Sequence, residues 1–367
     1  MLGSVIADGK AFVRLAQLRG RIAALVRGGR FDVATDLLGE LVRADLALGL
    51  PADSLLRARQ AAELATARGE AVAGPLIVLA ATLLAAGALD EALDASAAAI
   101  DRARPGERTR IEAMARLVGG ATQRRAGRLA EARLLLDAAR GAAARIGESA
   151  LAGLALAELG WVDLAEDRPA AAATCFEFSA EFLRRARNPS AVEADALAVA
   201  SWATAGELDI ATERGPRVAD AARAQNRLDL VAYLDGVLAD LALVRAPEAA
   251  AQACALAAES AQVLGAGPLA RELGAIARLR QVRIVTDTTD RARHLEAGIE
   301  LALALDRKRA SRRLGGFLIT LVEDAEREAR PPHRGELERL AGAIAGLGDA
   351  ELAEMTRAVL AELPPSR

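Results

Sequence analysis

Two stretches, GALDEALDASAAAI at residues 87–100 and GRLAEARLLLDAAR at residues 127–140, carry the same pattern 40 residues apart. In each stretch a glycine is followed two positions later by leucine, and three positions after that by alanine. In the first stretch Leu89, Ala92 and Ser96 are spaced by three and four residues, as on one face of a helix. The pattern therefore predicts a helix end, a tight turn and a second helix.

The pattern recurs along most of the chain. Its turn positions fall at residues 87, 127, 167, 206, 245 and 287, so that six units follow one another at 39–42 residues, and a seventh begins at Gly29. Such a period indicates an array in which each unit packs only on its neighbours. Glycine suits the turn because it adopts positive φ at little cost. We expect the alanines, such as Ala92 and Ala132, to lie where the two helices of a unit cross.

Composition agrees with an array of helices. The chain has 367 residues, of which 53% are hydrophobic but only 2% aromatic, and alanine and leucine supply most of the apolar content. Both are strong helix formers, whereas the residues that favour strands are scarce. The sequence thus predicts an all-α protein.

Charge and cysteine content restrict the partners and the compartment. With 47 basic and 50 acidic residues the net charge is −3, which gives no reason to expect nucleic acid as a partner. The two cysteines lie far apart, as in proteins of a reducing compartment. Residues 71–87, the most apolar stretch, contain Gly74 and Pro75 and are interpreted as a buried helix rather than a membrane span. We therefore expect a cytoplasmic protein without a membrane-spanning segment.

The turn motifs resemble those of a known repeat family. Gly87-Ala88-Leu89-Asp90-Glu91-Ala92-Leu93 and Gly127-Arg128-Leu129-Ala130-Glu131-Ala132 look like the turn and second-helix start of a tetratricopeptide repeat, and Gly120 and Gly160 match the small residue of its first helix. The period exceeds the family's usual length, as in the long-repeat variant of about 40 residues. The resemblance implies a right-handed α-solenoid of antiparallel helix pairs, a superhelix that binds other proteins.

The pattern also predicts where the helices and domains lie. Residues 1–69 are expected to form an N-terminal helical cap, residues 70–305 the repeat array, and residues 306–367 the C-terminal capping helices. The helices are predicted at 4–27, 31–48, 53–68, 72–86, 89–103, 108–125, 129–145, 149–166, 169–187, 190–205, 208–225, 228–244, 247–263, 268–286, 288–305, 308–329, 335–346 and 349–362.

No motif for chemistry stands out. A phosphate-binding loop and a dinucleotide fingerprint are absent from the sequence. The only two histidines, His294 and His333, are isolated from each other and from Cys175 and Cys254, so the sequence predicts no metal site. Paired acidic residues fall at helix starts or on exposed faces, where capping and solubility explain them. We expect neither catalytic residues nor a cofactor, and interpret the chain as a non-enzyme.

Two groups of residues are candidates for binding. The first helices of the units line the inner face of such an array, and there an apolar groove is predicted around Leu117, Arg124, Arg125, Trp161 and Leu164. Because tryptophan and arginine dominate interface hot spots, this groove is the candidate site for an amphipathic helix or peptide of a partner protein. The second group opens a predicted helix, where cations are unfavourable, and is a candidate contact for an anionic partner: Arg307, Lys308, Arg309, Arg312 and Arg313.

Three functions follow from these observations. The leading one is a non-catalytic scaffold or adaptor that binds a segment of another protein, with self-association of the chain as a variant. The second is a ligand-sensing regulatory domain of a bacterial signalling or transcription system. The third is a catalytic helical toroid, which the lack of a visible catalytic site disfavours.

Overall fold

The computed structural model describes residues 51–67, 72–103, 105, 108–265, 267–285, 287–327 and 333–363. Every regular element in these ranges is an α-helix, and the all-α fold of antiparallel helix pairs is thereby confirmed. The helices are α1 (Pro51–Ala67), α2 (Ala73–Ala86), α3 (Leu89–Asp101), α4 (Arg108–Arg125), α5 (Leu129–Arg145), α6 (Ser149–Ala165), α7 (Pro169–Arg185), α8 (Ala191–Thr204), α9 (Leu208–Ala224), α10 (Leu228–Arg245), α11 (Pro247–Val263), α12 (Pro268–Ile284), α13 (Thr288–Leu303), α14 (Arg307–Arg327), α15 (Arg334–Leu347) and α16 (Ala350–Glu362).

The chain divides into two compact units, Met1–Ala194 and Asp195–Arg367, and the division falls within α8. In the first unit α1 to α7 form a series in which neighbouring helices pack on one another. The first helices of successive pairs also touch, α2 with α4 and α4 with α6. In the second unit α10, α12 and α14 are related in the same way. The helices predicted at 4–27 and 31–48, and the repeat at Gly29, lie outside the described residues. The domain boundaries at 69/70 and 305/306 stay predictions.

A turn of the same kind follows each helix over part of the chain. Residues with positive φ occur at 127, 147, 167, 187, 206 and 226, so that from residue 127 to 226 one such turn closes every helix. At each turn the following N–H donates to a carbonyl five residues earlier, as from Arg168 to Asp163 at 2.8 Å. Glycine fills the position at 127, 147 and 206, whereas Asp167, Arg187 and Asn226 adopt the same left-handed conformation at φ 57°, 53° and 55°.

One predicted turn differs. Arg245 was expected at a turn of this kind, but it is the last residue of α10, and the single residue Ala246, at φ −140° and ψ 67°, connects it to α11. Pro247 is the first residue of α11. Proline suits this position because its φ is fixed near the helical value and it has no N–H that would lack an acceptor. Proline alone does not account for the shorter connection, since Pro169 also starts a helix, α7, after the left-handed turn at Asp167.

Small residues lie where the helices of a pair cross. The expectation for the repeat alanines is confirmed, since Ala92 and Ala132 are fully buried. The glycines of the first helices approach the second helices just as closely. A Cβ added to Gly120 would lie 2.6 Å from Leu136 Cγ, and one added to Gly160 would lie 2.8 Å from Phe176 Cε1. These distances are below van der Waals contact, so the crossing admits no larger residue.

Buried polar junctions each join three consecutive helices. Asp163 of α6 accepts hydrogen bonds from Arg133 of α5 at 2.8 Å and from the Cys175 thiol of α7 at 3.4 Å. Asp235 of α10, also buried, accepts from Arg223 of α9 at 3.0 Å and from the Ser260 hydroxyl of α11 at 2.6 Å. Each carboxylate is thereby bonded to a residue of the helix before it and a residue of the helix after it.

A third junction is built around an arginine. Arg291 of α13 is 5% exposed and donates to the Val282 carbonyl of α12 at 3.1 Å. It also donates to Asp324 of α14 at 3.3 Å and to Glu336 of α15 at 3.2 Å. All three charged side chains are buried. Removing one partner of such a group leaves the others buried without compensation, which is costly.

The crossing predicts opposite effects for the same substitution at two glycines. Gly160→Ala should lower the free energy of unfolding by about 1–3 kcal/mol, because its Cβ collides with the buried ring of Phe176. Gly141→Ala, in α5, should raise it by about 0.5–1 kcal/mol through helix propensity, since its Cβ would meet nothing closer than Arg145 at 3.9 Å. Urea unfolding of both variants checks the pair. Equal effects at the two sites would contradict the assigned crossing.

The turns predict a stabilising substitution. Arg187→Gly should raise the free energy of unfolding by about 0.5–1 kcal/mol, because glycine adopts the left-handed conformation at residue 187 without steric cost. The matched control is Gly147→Ala in the corresponding turn of the preceding repeat, at φ 71°, which should destabilise by about 1 kcal/mol. Thermal unfolding compares the two variants. A lower midpoint for Arg187→Gly than for the unaltered chain would show that the arginine side chain has a stabilising role.

Candidate functional site

The structure brings together two of the five predicted groove residues. The guanidinium carbon of Arg124, at the end of α4, lies 6.0 Å from the ring centroid of Trp161 in α6, the range of a cation–π contact. The ring of Trp161 also meets Phe176 of α7 edge to face, at a centroid distance of 5.6 Å and an interplanar angle of 78°. Phe176 is fully buried, whereas Trp161 is 38% exposed. Trp161 is thus supported by the core and open to solvent on the remainder of its surface.

Glu158 completes this arrangement, and the sequence analysis missed it. Its Oε2 accepts from Arg124 Nε at 2.8 Å, with both side chains about a quarter exposed. This ion pair links α4 to α6 across the boundary between repeats and holds the guanidinium beside Trp161. The signal that could have found it is spacing, because residues 158 and 161 are three apart on one helix and share a face.

The other predicted residues are placed differently. Arg125 donates from Nη1 to the Leu84 carbonyl of α2 at 2.5 Å, so it is directed to the preceding helix pair. Leu117 is half-buried and packs against a core cluster that includes Leu156 and Leu159, so that much of it belongs to the interior. Leu164 is also half-buried and lies one helical turn after Trp161. We call Arg124, Glu158, Trp161 and Leu164 the Trp161 surface.

The basic cluster that opens α14 is largely engaged within the chain. Arg307 donates to the Gly348 carbonyl at 2.6 Å, and Arg313 forms an ion pair with Glu272 at 2.6 Å. Arg309 forms longer ion pairs with Glu272 and Asp306, at 3.4 and 3.2 Å. Lys308 and Arg312 are also exposed, and neither takes part in the bonds just described. An anionic partner at this cluster stays a prediction and would depend first on these two side chains.

Many arginines bridge residues about one repeat apart. Arg280 binds Asp240, 40 residues earlier, through two hydrogen bonds of 2.6 and 2.7 Å. Arg283 binds Glu323, 40 residues later, at 2.7 Å. The carbonyl bonds of Arg125 and Arg307 both span 41 residues. Arginine therefore has a structural role at the repeat period, which accounts for part of its abundance.

Burial shifts the pKa values of both thiols and of His294. Burial and then the hydrogen bond to Asp163 raise the pKa of the Cys175 thiol to about 12, so it is not a thiolate at neutral pH. Burial also raises the pKa of the Cys254 thiol. Burial and then the charge of Arg278 lower the pKa of His294. His294 is half-buried, and its Nδ1 accepts a hydrogen bond from an Arg278 N–H at 3.0 Å.

Two kinds of feature are absent from the described residues. No group of three or more histidine, cysteine, aspartate or glutamate side chains there is arranged to hold a metal ion. Of the helices in the described ranges, none is both long and apolar enough to cross a membrane.

Comparison by sequence finds no matching family model and no matching curated protein. Comparison by structure finds the apo form of RapI, with a TM-score of 0.54 at 10% identity over 95% of this chain and 96% of that chain. The TPR domain of P58(IPK) covers 95% of this chain and 99% of its own at 13% identity, but with a TM-score of 0.29. Yeast Tom70 covers 96% and 88% at 11% identity, with a TM-score of 0.34. At these identities the likeness concerns the fold alone, and the resemblance expected from the turn motifs is confirmed: the chain folds as a tetratricopeptide-repeat-like array of helix pairs.

Proposed function

We propose that the chain is a non-catalytic scaffold that binds an amphipathic helical segment of another protein on the Trp161 surface. The observation that carries the proposal is the setting of Trp161, which is 38% exposed and yet held from below by Phe176 and from the side by Arg124. Tryptophan and arginine are the residues most enriched at interface hot spots. Here both are present in one place and restrained before any partner arrives.

Restraint matters because binding costs conformational entropy. A free tryptophan or arginine side chain loses rotamer freedom when it is covered, which reduces the affinity gained from the contact. Trp161 is restricted by its edge contact with Phe176, and Arg124 by its ion pair with Glu158 at 2.8 Å. A partner that covers them would lose less entropy at this surface than at one of mobile side chains.

The chemistry of the surface indicates the partner's composition. Trp161 and Leu164 offer apolar area, and the charged members are Arg124 and Glu158, which form an ion pair. A helix with an apolar stripe and an acidic residue beside it fits both features. Two different chains could both supply such a helix, a distinct partner protein or a second copy of this one, and we propose the distinct partner.

The settings of the titratable groups favour binding over catalysis. The pKa of Cys175 is raised to about 12, and the lowered pKa of His294 accompanies a hydrogen bond from an arginine, not from an oriented carboxylate. A nucleophile needs a neighbouring base that is itself held by a third group. The proposal therefore includes a non-enzymatic role, as an adaptor in the cytoplasm.

Trp161→Ala is the central test of the proposed function. Loss of a hot-spot tryptophan should weaken partner binding by about 2 kcal/mol or more, or about thirtyfold. Its cost to the free energy of unfolding should stay below the about 3–5 kcal/mol expected for Phe176→Ala, because Trp161 is partly exposed while Phe176 is fully buried. The measurements are quantitative capture from cell extract by the tagged chain, followed by titration of the identified partner, and thermal unfolding.

Phe178→Ala is the matched control for this test. Phe178 is an aromatic residue of α7 that is 51% exposed and has no part in the Trp161 surface. Its loss should leave partner binding unchanged. If both variant chains bind every captured protein with the affinity of the unaltered chain, the Trp161 surface is not the binding site. If the captured protein is another copy of this chain, the proposal of a distinct partner is wrong.

A charge exchange separates recognition from support of the fold. Arg124→Glu should reduce partner binding and also lose the ion pair with Glu158. The double variant Arg124→Glu/Glu158→Arg restores an ion pair and should recover the thermal midpoint, while binding stays about tenfold or more below that of the unaltered chain. Recovery of both properties by the double variant would assign Arg124 a purely structural role.

A further inference from the structure

Three helices of the second unit, α12, α13 and α14, meet closely at Gly298 of α13. A Cβ added to this glycine would collide with the ring of Phe317 in α14 and would lie 3.1 Å from Arg278 Cβ in α12. Phe317 is 1% exposed and belongs to an apolar core that residues of α12 to α16 share. The first atoms of the Arg278 side chain are therefore held against α13 at the point where the two helices cross.

The outer end of the Arg278 side chain is bonded to a histidine of α13. His294 lies one helical turn before Gly298, and its Nδ1 is 3.0 Å from Arg278 Nη1. A guanidinium can only donate a hydrogen bond, so Nδ1 must be the acceptor and the imidazole must be neutral, with its proton on Nε2. The same Nη1 donates to Gln281 Oε1 at 2.8 Å. The bond thus joins α12 to α13 in only one protonation state of His294.

Protonation of His294 would convert this bond into a repulsion. Both ring nitrogens of an imidazolium are donors, so Nδ1 would direct a hydrogen and a positive charge at the guanidinium. Since Arg278 Cβ is held in the crossing beside Gly298, the guanidinium could move away only by rotation of the outer bonds of its side chain. That rotation would also break the bond to Gln281. The polar contact between α12 and α13 at this turn is therefore lost when His294 is charged.

The charged groups around His294 offer an imidazolium little compensation. On α13 itself, Asp290 lies one turn earlier and attracts a proton to His294, but it is already paired with Arg293 at 3.0 Å. The helices packed against α13 are α12, α14 and α15. Their other charged groups that bond to this part of the chain do so away from His294: Arg271 to the Ala304 carbonyl, Asp324 and Glu336 to Arg291, and Arg339 to Glu296.

The direction of the pH effect follows from these surroundings. Burial and then the charge of Arg278 lower the pKa of His294, while Asp290 opposes the shift. The closed packing therefore takes up a proton less readily than an opened form in which His294 has its ordinary pKa of 6.5. The stabilisation that the neutral imidazole provides is fully present above that value and is lost as the pH falls below it.

From this arrangement we infer that the contact between Arg278 and His294 is a pH-sensitive switch, which holds α12 against α13 at neutral pH and releases it in acid. Release begins at the Gly298 crossing and loosens the apolar core around Phe317. In a repeat array each unit packs only on its neighbours, so opening at α12 and α13 leaves α4 to α6 closed. The switch is independent of the proposed binding function, since it shares no residue with the Trp161 surface.

Hydrogen exchange of the full chain tests the inference at about pH 7.5 and about pH 5.5, on either side of the ordinary imidazole pKa, after correction for the intrinsic pH dependence of exchange. Amide protection in α12 and α13 should fall by about threefold to tenfold at the lower pH, because the opened form gains a proton that the closed form resists. Protection in α4 to α6 should not change. Unchanged protection in α12 and α13 overturns the inference, as does an equal fall in α4 to α6.

The histidine content of the chain allows an unambiguous assignment, since His294 and His333 are its only two. His294→Gln keeps an oxygen that can accept from Arg278 but does not titrate in this range, so the acid-induced fall in protection should disappear. His333→Gln is the matched control, because His333 is exposed and precedes α15, and the fall should persist in this variant. A fall in His294→Gln equal to that of the unaltered chain overturns the inference.

A measurement on the unaltered chain covers the case in which His294→Gln does not fold. The imidazole of His294 is followed by NMR as the pH is lowered, and its signals are assigned by comparison with His333→Gln. Its pKa should lie below the ordinary value of 6.5, since the folded chain disfavours the charged form. A pKa at or above 6.5 overturns the inference.

Discussion

Close approach of paired helices is the constraint on which the rest of this structure depends. The two helices of a pair can cross at short distance only where glycine or alanine lies at the crossing, as at Gly160 beneath Phe176 and at Ala132. Close packing gains dispersion contacts for every neighbouring side chain, and in a chain with 2% aromatic residues these contacts must come from small side chains at short range. The scarcity of aromatic residues and the abundance of alanine therefore both agree with helices that cross at short distance.

That constraint leaves little volume for charged groups, and the buried junctions have a common use. Asp163 in the first unit and Asp235 in the second each join three consecutive helices, and Arg291 joins four. A repeat array needs such junctions because apolar contacts between alanine-rich faces are alike from one repeat to the next and specify register only weakly. A bonded carboxylate fits in one register alone.

The repeat pattern predicted the fold well because its signals are local. Helix ends fell within two residues of the predicted positions in most of the described chain, since each depends on a turn residue and a helix face that lie close together in sequence. The turn predicted at Arg245 is replaced by a shorter connection, although Pro247 starts α11 at the predicted position. The resemblance to tetratricopeptide repeats likewise followed from short motifs.

The binding surfaces could be predicted only in part. Trp161 and Arg124 were paired correctly because both follow from the register of the repeat. Glu158 was missed because an ion pair between repeats depends on the side chains of a neighbouring helix 30 to 40 residues away. The contact between Arg278 and His294 could not have been found from sequence, since it depends on where α12 and α13 cross.

The arginines that bridge successive repeats have an evolutionary consequence. Arg125 and Arg307 bond to main-chain carbonyls, at Leu84 and Gly348, rather than to acidic side chains. Every residue has a carbonyl, so a bridge of this kind survives whatever substitution occurs at the accepting position. Adjacent repeats can then diverge in sequence, be duplicated or be exchanged while the connection between them is kept. A lineage built in this way would lose recognisable sequence similarity well before it lost its shape.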